Sequence, residues 1–360
     1  MKRVFVFQDF KSQKFWSIDV EGSGFTVNYG KLGTEGQTQE KTFASPEEAE
    51  KQAAKLIAEK TKKGYVETEE EAAKEMKAEA RKYKLSYEDY DAGRSQKDLL
   101  NKIISDKKLP EIKQLTIGCW SFESEDCQEL VDGMVANKEK FEQVEGLFWG
   151  DIDQEESEIS WIDQANLSPL LDAMPRLRDL RIKGTHSLSI GQKPRPNLRS
   201  LEIISGGLHP GILDDVLKSD FPNLETLILY VGIDDYGFEG PLEVFKPLFS
   251  KEKFPKLTYL GLVNAQEQDQ IVTFFLESDI LPQLETMDIA AGVLTDKGGQ
   301  LLLDNVDKIK HLKCIDMKYN YLSEEMQKKL SQLPVKTDVS DAQAIDDEYD
   351  EYGGYPLITE

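Results

Sequence analysis

Residues 221–230 read FPNLETLILY, residues 254–263 read FPKLTYLGLV and residues 281–290 read LPQLETMDIA. In each, a proline stands two residues ahead of an apolar-x-x-apolar-x-apolar run: Leu224-Leu227-Leu229, Leu257-Leu260-Leu262 and Leu284-Met287-Ile289. The alternation that ends each run is the period of a strand with one buried face. The same run occurs at Ile112-Leu115-Ile117, Val144-Leu147-Trp149, Leu177-Leu180-Ile182, Leu198-Leu201-Ile203 and Leu312-Ile315-Met317. Its middle positions, 115, 147, 180, 201, 227, 260, 287 and 315, are spaced by 32, 33, 21, 26, 33, 27 and 28 residues. Between strands, stretches such as residues 271–276 (IVTFFL) and 299–303 (GQLLL) are apolar enough to form helices buried on the strand layer. Each strand–helix unit buries its apolar face only by stacking on its neighbours.

This pattern resembles the leucine-rich repeats, whose period is ~20–29 residues, with insertions in the three longest intervals. The resemblance implies an α/β horseshoe of the ribonuclease-inhibitor-like kind over residues 110–337, with about eight repeats. Residues flanking the apolar strand positions project onto its concave face, by the two-residue strand period. Next to the middle position these are Thr116, Phe148, Arg181, Glu202, Ile228, Gly261, Asp288 and Asp316; further flanks are Tyr259, Lys183, Ile204, Tyr230 and Val263. Phe148, Ile204, Ile228, Tyr230, Tyr259 and Val263 are apolar or aromatic where solvent favours polar residues, with Arg181 and Lys183 beside them. Aromatic residues with an arginine are the usual composition of an interface anchor, and an exposed apolar patch requires a reason. These eight residues are the expected protein- or peptide-binding surface.

Upstream, the chain changes character. Val4 to Phe7, Phe15 to Val20 and the alternating Phe25, Val27 and Tyr29 read as strands, with Gly22-Ser23-Gly24 as hairpin punctuation. A helix follows: Ser45 at the N-cap, Pro46 at the first position, Glu48 completing a Ser-x-x-Glu box, and Gly64 at the end. Residues 14–65, KFWSIDVEGSGFTVNYGKLGTEGQTQEKTFASPEEAEKQAAKLIAEKTKKGY, resemble a WGR domain nearly end to end. The Gly-Thr-x-Gly-Gln turn is intact as Gly33, Thr34, Glu35, Gly36 and Gln37, and the signature itself is altered to Tyr29, Gly30 and Lys31. WGR domains are non-catalytic modules of poly(ADP-ribose) polymerases and of bacterial regulator-like proteins. In the polymerases they touch DNA ends. The resemblance implies a small antiparallel sheet with one helix over residues 1–66. It also implies nucleic-acid contact through Tyr29, Gly30 and Lys31, with Lys11, Lys14 and Lys41 adding charge. Lysine keeps the signature arginine's charge and loses its bidentate fork. Trp16 reads as core.

Residues 67–109 read as a charged helical linker and repeat cap, and residues 338–360 as an acidic tail. The net charge of −23 is divided unevenly: residues 1–66 hold 11 basic and 9 acidic residues, leaving 33 and 58 in the rest, or +2 against −25. An acidic body repels a phosphate backbone, so nucleic acid has to be met by the N-terminal domain. Cys119, Cys127 and Cys314 have no metal spacing and suit reduced thiols in a cytoplasm. No apolar run approaches the ~18 residues of a membrane span. His186, His209 and His311 stand isolated in sequence, and neither a phosphate loop nor a Gly-x-Ser-x-Gly elbow is present. A catalytic, metal or cofactor site is therefore not expected.

The pairing resembles bacterial proteins that join a WGR domain to leucine-rich repeats, including molybdate-metabolism-regulator-like ones. Glu158-Ile159-Ser160-Trp161-Ile162, Ser205-Gly206-Gly207-Leu208, Asp235-Tyr236-Gly237 and Leu322-Ser323-Glu324-Glu325-Met326 are the further points of similarity. The expectation is a cytoplasmic, non-enzymatic adaptor that takes a protein or peptide on the repeats. The alternative is a DNA-associated regulator.

Overall fold

The computed structural model describes residues 2–8, 13–32, 34–123, 125–238, 240–344 and 354–359. The chain divides into two units, Met1–Tyr83 with Asp106–Thr116 and Lys84–Ser105 with Ile117–Glu360. Both mix strands and helices, the first around an antiparallel sheet and the second around a parallel one.

The first unit is built on β1 (Lys2–Gln8), β2 (Gln13–Glu21), β3 (Gly24–Lys31), β4 (Gln37–Thr42) and β5 (Val66–Thr68), ordered β4-β3-β2-β1-β5. The run Val4-Phe5-Val6 in β1 has no polar alternate because both faces of the strand are covered. Phe5 joins Trp16, Ile18, Phe25 and Val27 against Ala53, Leu56 and Ile57 of α1 (Pro46–Lys62). Val4 and Val6 join Phe15 and Leu32 against Ala73 and Met76 of α2 (Glu70–Ala78) on the opposite face. The expected helix α1 is present: Ser45 accepts the Glu48 amide at 3.3 Å, and Gly64 takes φ +89° past the end. The Glu48 carboxylate answers to the Ala44 amide, one residue before the cap.

The charged linker expected over residues 67–109 is helical only in part, and residues 68–83 are not one solvated helix. The stretch comprises the end of β5, the nine-residue α2 and the strand β6 (Ala80–Tyr83), a neighbour of β7 (Gln114–Ile117). Ala73, Met76 and Ala80 supply the apolar anchors that its charge pattern hides. Ser86 and Ser95 each form a capping box, opening the helices Tyr87–Asp91 and Gln96–Ile104.

The second unit carries β8 (Gly146–Trp149), β9 (Asp179–Lys183), β10 (Ser200–Ile204), β11 (Thr226–Gly232), β12 (Tyr259–Ala265), β13 (Thr286–Asp288), β14 (Cys314–Asp316) and β15 (Lys336–Asp338). All are parallel and in chain order. Leu147, Leu180, Leu201, Leu227, Leu260, Met287 and Ile315 align side by side, and the row continues to Thr337. The apolar members are at most 3% exposed, so one lateral row forms the spine of the core.

The strand lead-in also repeats. The amides of Leu224, Leu257 and Leu284 bond back three residues to Phe221, Phe254 and Leu281 at 3.1–3.2 Å. Each proline thus sits second in a turn, where its fixed φ is an advantage. Two successive amides then share one carbonyl of the preceding strand's lead-in: Thr258 and Tyr259 on Glu225, Glu285 and Thr286 on Thr258, Lys313 and Cys314 on Glu285. The expected helical stretches fall in the helices Gln268–Glu277 and Asp296–Asp304.

Candidate functional site

On the WGR-like sheet, cross-strand pairing decides which predicted residues meet. Lys14 of β2 stands opposite Lys31 of β3, and both are exposed. They share a face with Trp16 and Tyr29, which pair next to them. The last turn of α1 brings Lys60 over the rings of Tyr65 and Trp16, at 4.9 and 5.8 Å from the centroids. Burial pulls the Lys60 ammonium below the usual lysine range, and the nearby charges of Lys63 and Lys14 pull it further. Lys60 and Lys63 were not singled out from sequence, although the Lys-Thr-Lys-Lys run that ends α1 was the signal.

Tyr29 is half-buried and packed on the α1 core. Its hydroxyl donates to Gln37 Oε1 at 3.2 Å and accepts from Gln39 Nε2 at 2.8 Å. Gly30 permits a close backbone crossing, since a Cβ there would lie 2.8 Å from Gly36 Cα. Trp16 is core, as expected, at 3% exposure. Lys41 pairs with Phe25, six residues along β3 from Lys31. At ~3.4 Å per strand residue it lies roughly 20 Å from the lysine group. Gly33 and Lys11 lie outside the described residues.

On the parallel sheet, the row next to the spine reads Phe148, Arg181, Glu202, Ile228, Gly261, Asp288, Asp316 and Asp338 in lateral register. The structure corrects the expectation of an open apolar strip there. Arg181 lies 4.5 Å over the Phe148 ring and 2.8 Å from the carboxylate of Glu202, which is 1% exposed. The Lys183 ammonium donates to the Ile152 carbonyl. Tyr259 donates to Asp288 at 2.6 Å, and burial together with that carboxylate holds its hydroxyl protonated far above the usual range.

Ile228, Ile204 and Val263 are buried, at 0%, 5% and 2% exposure. Gly261 is the reason at Ile228. Ile228 and Asp288 close over the missing side chain from either side, 3.2 and 3.3 Å from where a Cβ would stand. Ile204 and Val263 flank the half-buried Tyr230, which pairs directly with Val263. Phe148, Arg181, Lys183, Tyr230 and Tyr259 are the members with surface left.

Sequence reasoning missed a cleft of about 410 Å³ at the carboxyl ends of β8–β11, where ligands of open α/β sheets characteristically bind. Ile159, Ser160, Trp161, Asp163, Thr185, His186, Gly206, Gly207, His209, Asp235, Tyr236 and Gly237 line it, and Trp161 is 65% exposed. His186 is not isolated: its Nδ1 contacts the Asp163 carboxylate. His209 Nδ1 accepts the Gly211 amide at 3.1 Å and caps the helix Pro210–Lys218. Gly207 lets the backbone of Tyr236 and Ile233 pass, which any Cβ would obstruct. Three of the four short motifs singled out above converge here, around Trp161, Gly206-Gly207 and Asp235-Tyr236-Gly237. Among the described residues no group of acidic, histidine or cysteine side chains is arranged to hold a metal ion.

The WGR domain family matches residues 1–72. Over 67 residues (19% of this chain) the sequence is 54% identical to Uncharacterized protein YfeS of Escherichia coli K12. Over 65 residues (18%) it is 49% identical to Protein YehF of the same organism. The chain spans about a quarter of the length of these curated relatives, 28% and 24%. A crystal structure of a Bacteroides fragilis protein is 65% identical over 100% of both chains, with a TM-score of 0.86. The chain belongs to the family of that protein.

Its N-terminal unit carries a WGR domain that runs through β5 into α2. Within this WGR domain the altered signature keeps an aromatic ring and a cation at positions 29 and 31, and the closing lysines of α1 bring further charge beside them. Among the described residues no helix is long and apolar enough to cross a membrane.

Proposed function

We propose that this is a non-catalytic binding protein whose WGR domain contacts nucleic-acid phosphates through Lys14, Lys31, Lys60 and Lys63. The observation that carries the reading is the pairing of Lys14 with Lys31 beside the last turn of α1. Like charges assembled on one face raise the local positive potential, which draws a polyanion to that face. Tyr29 is tied down by Gln37 and Gln39, so the contact is electrostatic rather than a stacking one. The direct test is fluorescence anisotropy of a labelled DNA duplex at low salt: binding by the wild-type chain and its loss in Lys31→Glu are expected. Equal binding by both chains would remove the lysine group from the interface.

In this reading the second unit is a leucine-rich-repeat horseshoe that takes a second partner, and the protein works in a reducing cytoplasm without a cofactor. Three features recurring along the second unit support the horseshoe: the lead-in turn, the shared carbonyl, and a left-handed residue four positions beyond the spine residue. Gly184, Asn264, Ala291 and Tyr319 occupy that last position with φ of +91°, +59°, +62° and +57°. Three free cysteines suit the compartment.

The adaptor without nucleic acid is the second reading. It is favoured by Phe148 with Arg181 on the strand face and by the exposed Trp161 at the strand ends. A protein partner captured equally by wild type and Lys31→Glu, with no DNA bound by either, decides for it.

A further inference from the structure

The segment 354–359, Gly-Tyr-Pro-Leu-Ile-Thr, lies across the carboxyl ends of the parallel strands and runs opposite to their order. Gly354 and Tyr355 meet Tyr321, beyond β14. Leu357 meets Ala291, beyond β13. Ile358 meets Asn264 near the end of β12, and Thr359 meets Gly206, beyond β10. The contacts to its main chain are close and numerous. Gln266 Nε2 donates to the Gly354 carbonyl at 2.8 Å. The Tyr321 hydroxyl accepts the Tyr355 amide at 3.0 Å and donates to the Tyr355 carbonyl at 2.9 Å. The Leu357 amide donates to the Ala291 carbonyl at 2.8 Å. The side-chain amide of Asn264 grips Ile358 at both ends, accepting its N–H at 2.8 Å and donating to its carbonyl at 2.6 Å.

Six main-chain groups between Gly354 and Ile358 are thus held by four residues, Asn264 and Gln266 at the end of β12, Ala291 beyond β13 and Tyr321 beyond β14. Asn264 is fully buried and left-handed, a conformation asparagine tolerates. Glycine is required twice. A Cβ on Gly206 would run into the Thr359 carbonyl, and one on Gly354, at φ +114°, would lie 2.8 Å from the Tyr321 ring. Gly354 and Pro356 are buried, whereas Tyr355 and Leu357 are 40% and 46% exposed. The groove therefore grips the backbone and selects residues on alternate positions, the division of labour of peptide-binding grooves.

We propose that this groove is a binding site for an extended peptide of another protein with the pattern Gly-x-Pro-x-Ile, and that residues 354–359 occupy it in cis as a displaceable stand-in. The groove continues past Thr359 into the cleft of Trp161, His186 and Tyr236, because Gly206 belongs to both. The surface differs from both the lysine group and the strand face, so the proposal stands whether or not the WGR domain binds nucleic acid.

A segment bound in cis lowers the apparent affinity of a competitor by the fraction of time the groove is open. The test uses the full chain and a fluorescein-labelled peptide GYPLIT followed by anisotropy. Ile358→Pro removes the N–H that Asn264 accepts and leaves every groove residue intact. Leu357→Pro does the same at Ala291 and serves if the first variant does not fold. Single-site binding at least 10-fold tighter than to wild type is expected in either variant, and its loss when Gly206→Ala is added. A variant that keeps the wild-type circular dichroism and melting temperature yet binds the peptide no more tightly than wild type overturns the proposal. So does tighter binding that Gly206→Ala leaves untouched.

Discussion

Replacing Lys14 and Lys31 with glutamine tests the lysine group quantitatively. Each phosphate neutralised releases condensed counterion, and the logarithm of the binding constant falls with the logarithm of salt with slope about −0.9 per contact on B-form DNA. Four lysines on one face set the wild-type slope at about −3.6, and removing two brings it to about −1.8. Between 50 and 200 mM salt these slopes mean a loss of roughly 150-fold for wild type and roughly 12-fold for the double variant. Neither substitution touches the core, because both side chains are exposed and Trp16 and Ile18 carry the packing of β2. The assay is a salt series of anisotropy titrations on a blunt duplex, with Lys41→Gln as the control, since Lys41 lies at the far end of the sheet. A slope that does not change in the double variant, or that falls as much in Lys41→Gln, refutes the argument. The acidic remainder of the chain, at −25, weakens binding at every salt concentration through repulsion but adds no contact to the slope.

Three further outcomes follow from burial and charge. Arg181→Leu takes the guanidinium away from a Glu202 carboxylate that is 1% exposed, and is expected to cost about 3–5 kcal/mol in urea unfolding. Arg181→Leu with Glu202→Leu should recover most of that loss, whereas an arginine kept only for a partner would leave stability unchanged in both. Burial pushes the Cys127 thiol up to about 12, so at pH 8 only about 1 in 10,000 is thiolate, and a thiol reagent should spare it until the protein unfolds. Full labelling of Cys127 in the native protein contradicts this. Asp106 is held below the usual carboxylate range by the Lys108 amide, with the Tyr83 hydroxyl and Arg81 assisting. A depressed carboxyl stabilises the fold above its unfolded value and loses that contribution as pH falls through the folded one. Tyr83→Phe, which removes the 2.8 Å bond, should therefore cost roughly 1.5–3 kcal/mol at pH 7 and shift acid unfolding to higher pH. An unchanged acid midpoint speaks against it.

The strands were legible where burial is one-sided and lateral. Leu227 and Leu260 announce themselves because each must face the same interior row as its neighbours, and the turn ahead of them requires proline or an equivalent at one position. β4 was illegible for the converse reason. Its residues Gln37 to Thr42 are all exposed, so no alternation marks them and the pairing with β3 alone makes the strand. The two-sided burial of β1 was written in Val4-Phe5-Val6, but the partner of its second face lay in a segment whose glutamates and lysines dominate its composition. Of the acidic tail, residues 345–353 and 360 lie outside the described residues, while Gly354 and Tyr355 lie on Tyr321.

Sites were less legible than strands because they are assembled from residues 23 to 94 positions apart. His186 and Asp163 are 23 residues apart, and Asn264 and Ile358 are 94 apart. No local spacing rule reaches that far. The expected apolar strip failed differently. Reading Ile228 as surface assumed that a strand flank opposite the core meets water, yet a glycine at 261 lets its neighbours meet over it, and paired charges at 181 and 202 use the polarity meant for a partner. A strand face satisfied largely from within leaves a ligand only the surface of Phe148, Arg181, Lys183, Tyr230 and Tyr259. The carboxyl ends differ, since the backbone there turns away from the sheet and leaves carbonyls, asparagine amides and glycine gaps facing outward. Neighbouring parallel strands place such groups side by side, and a chain lying across their ends bonds to several of them. That is the geometry in which Tyr321, Ala291 and Asn264 hold residues 355, 357 and 358, and a peptide from another protein meets the same register of donors and acceptors.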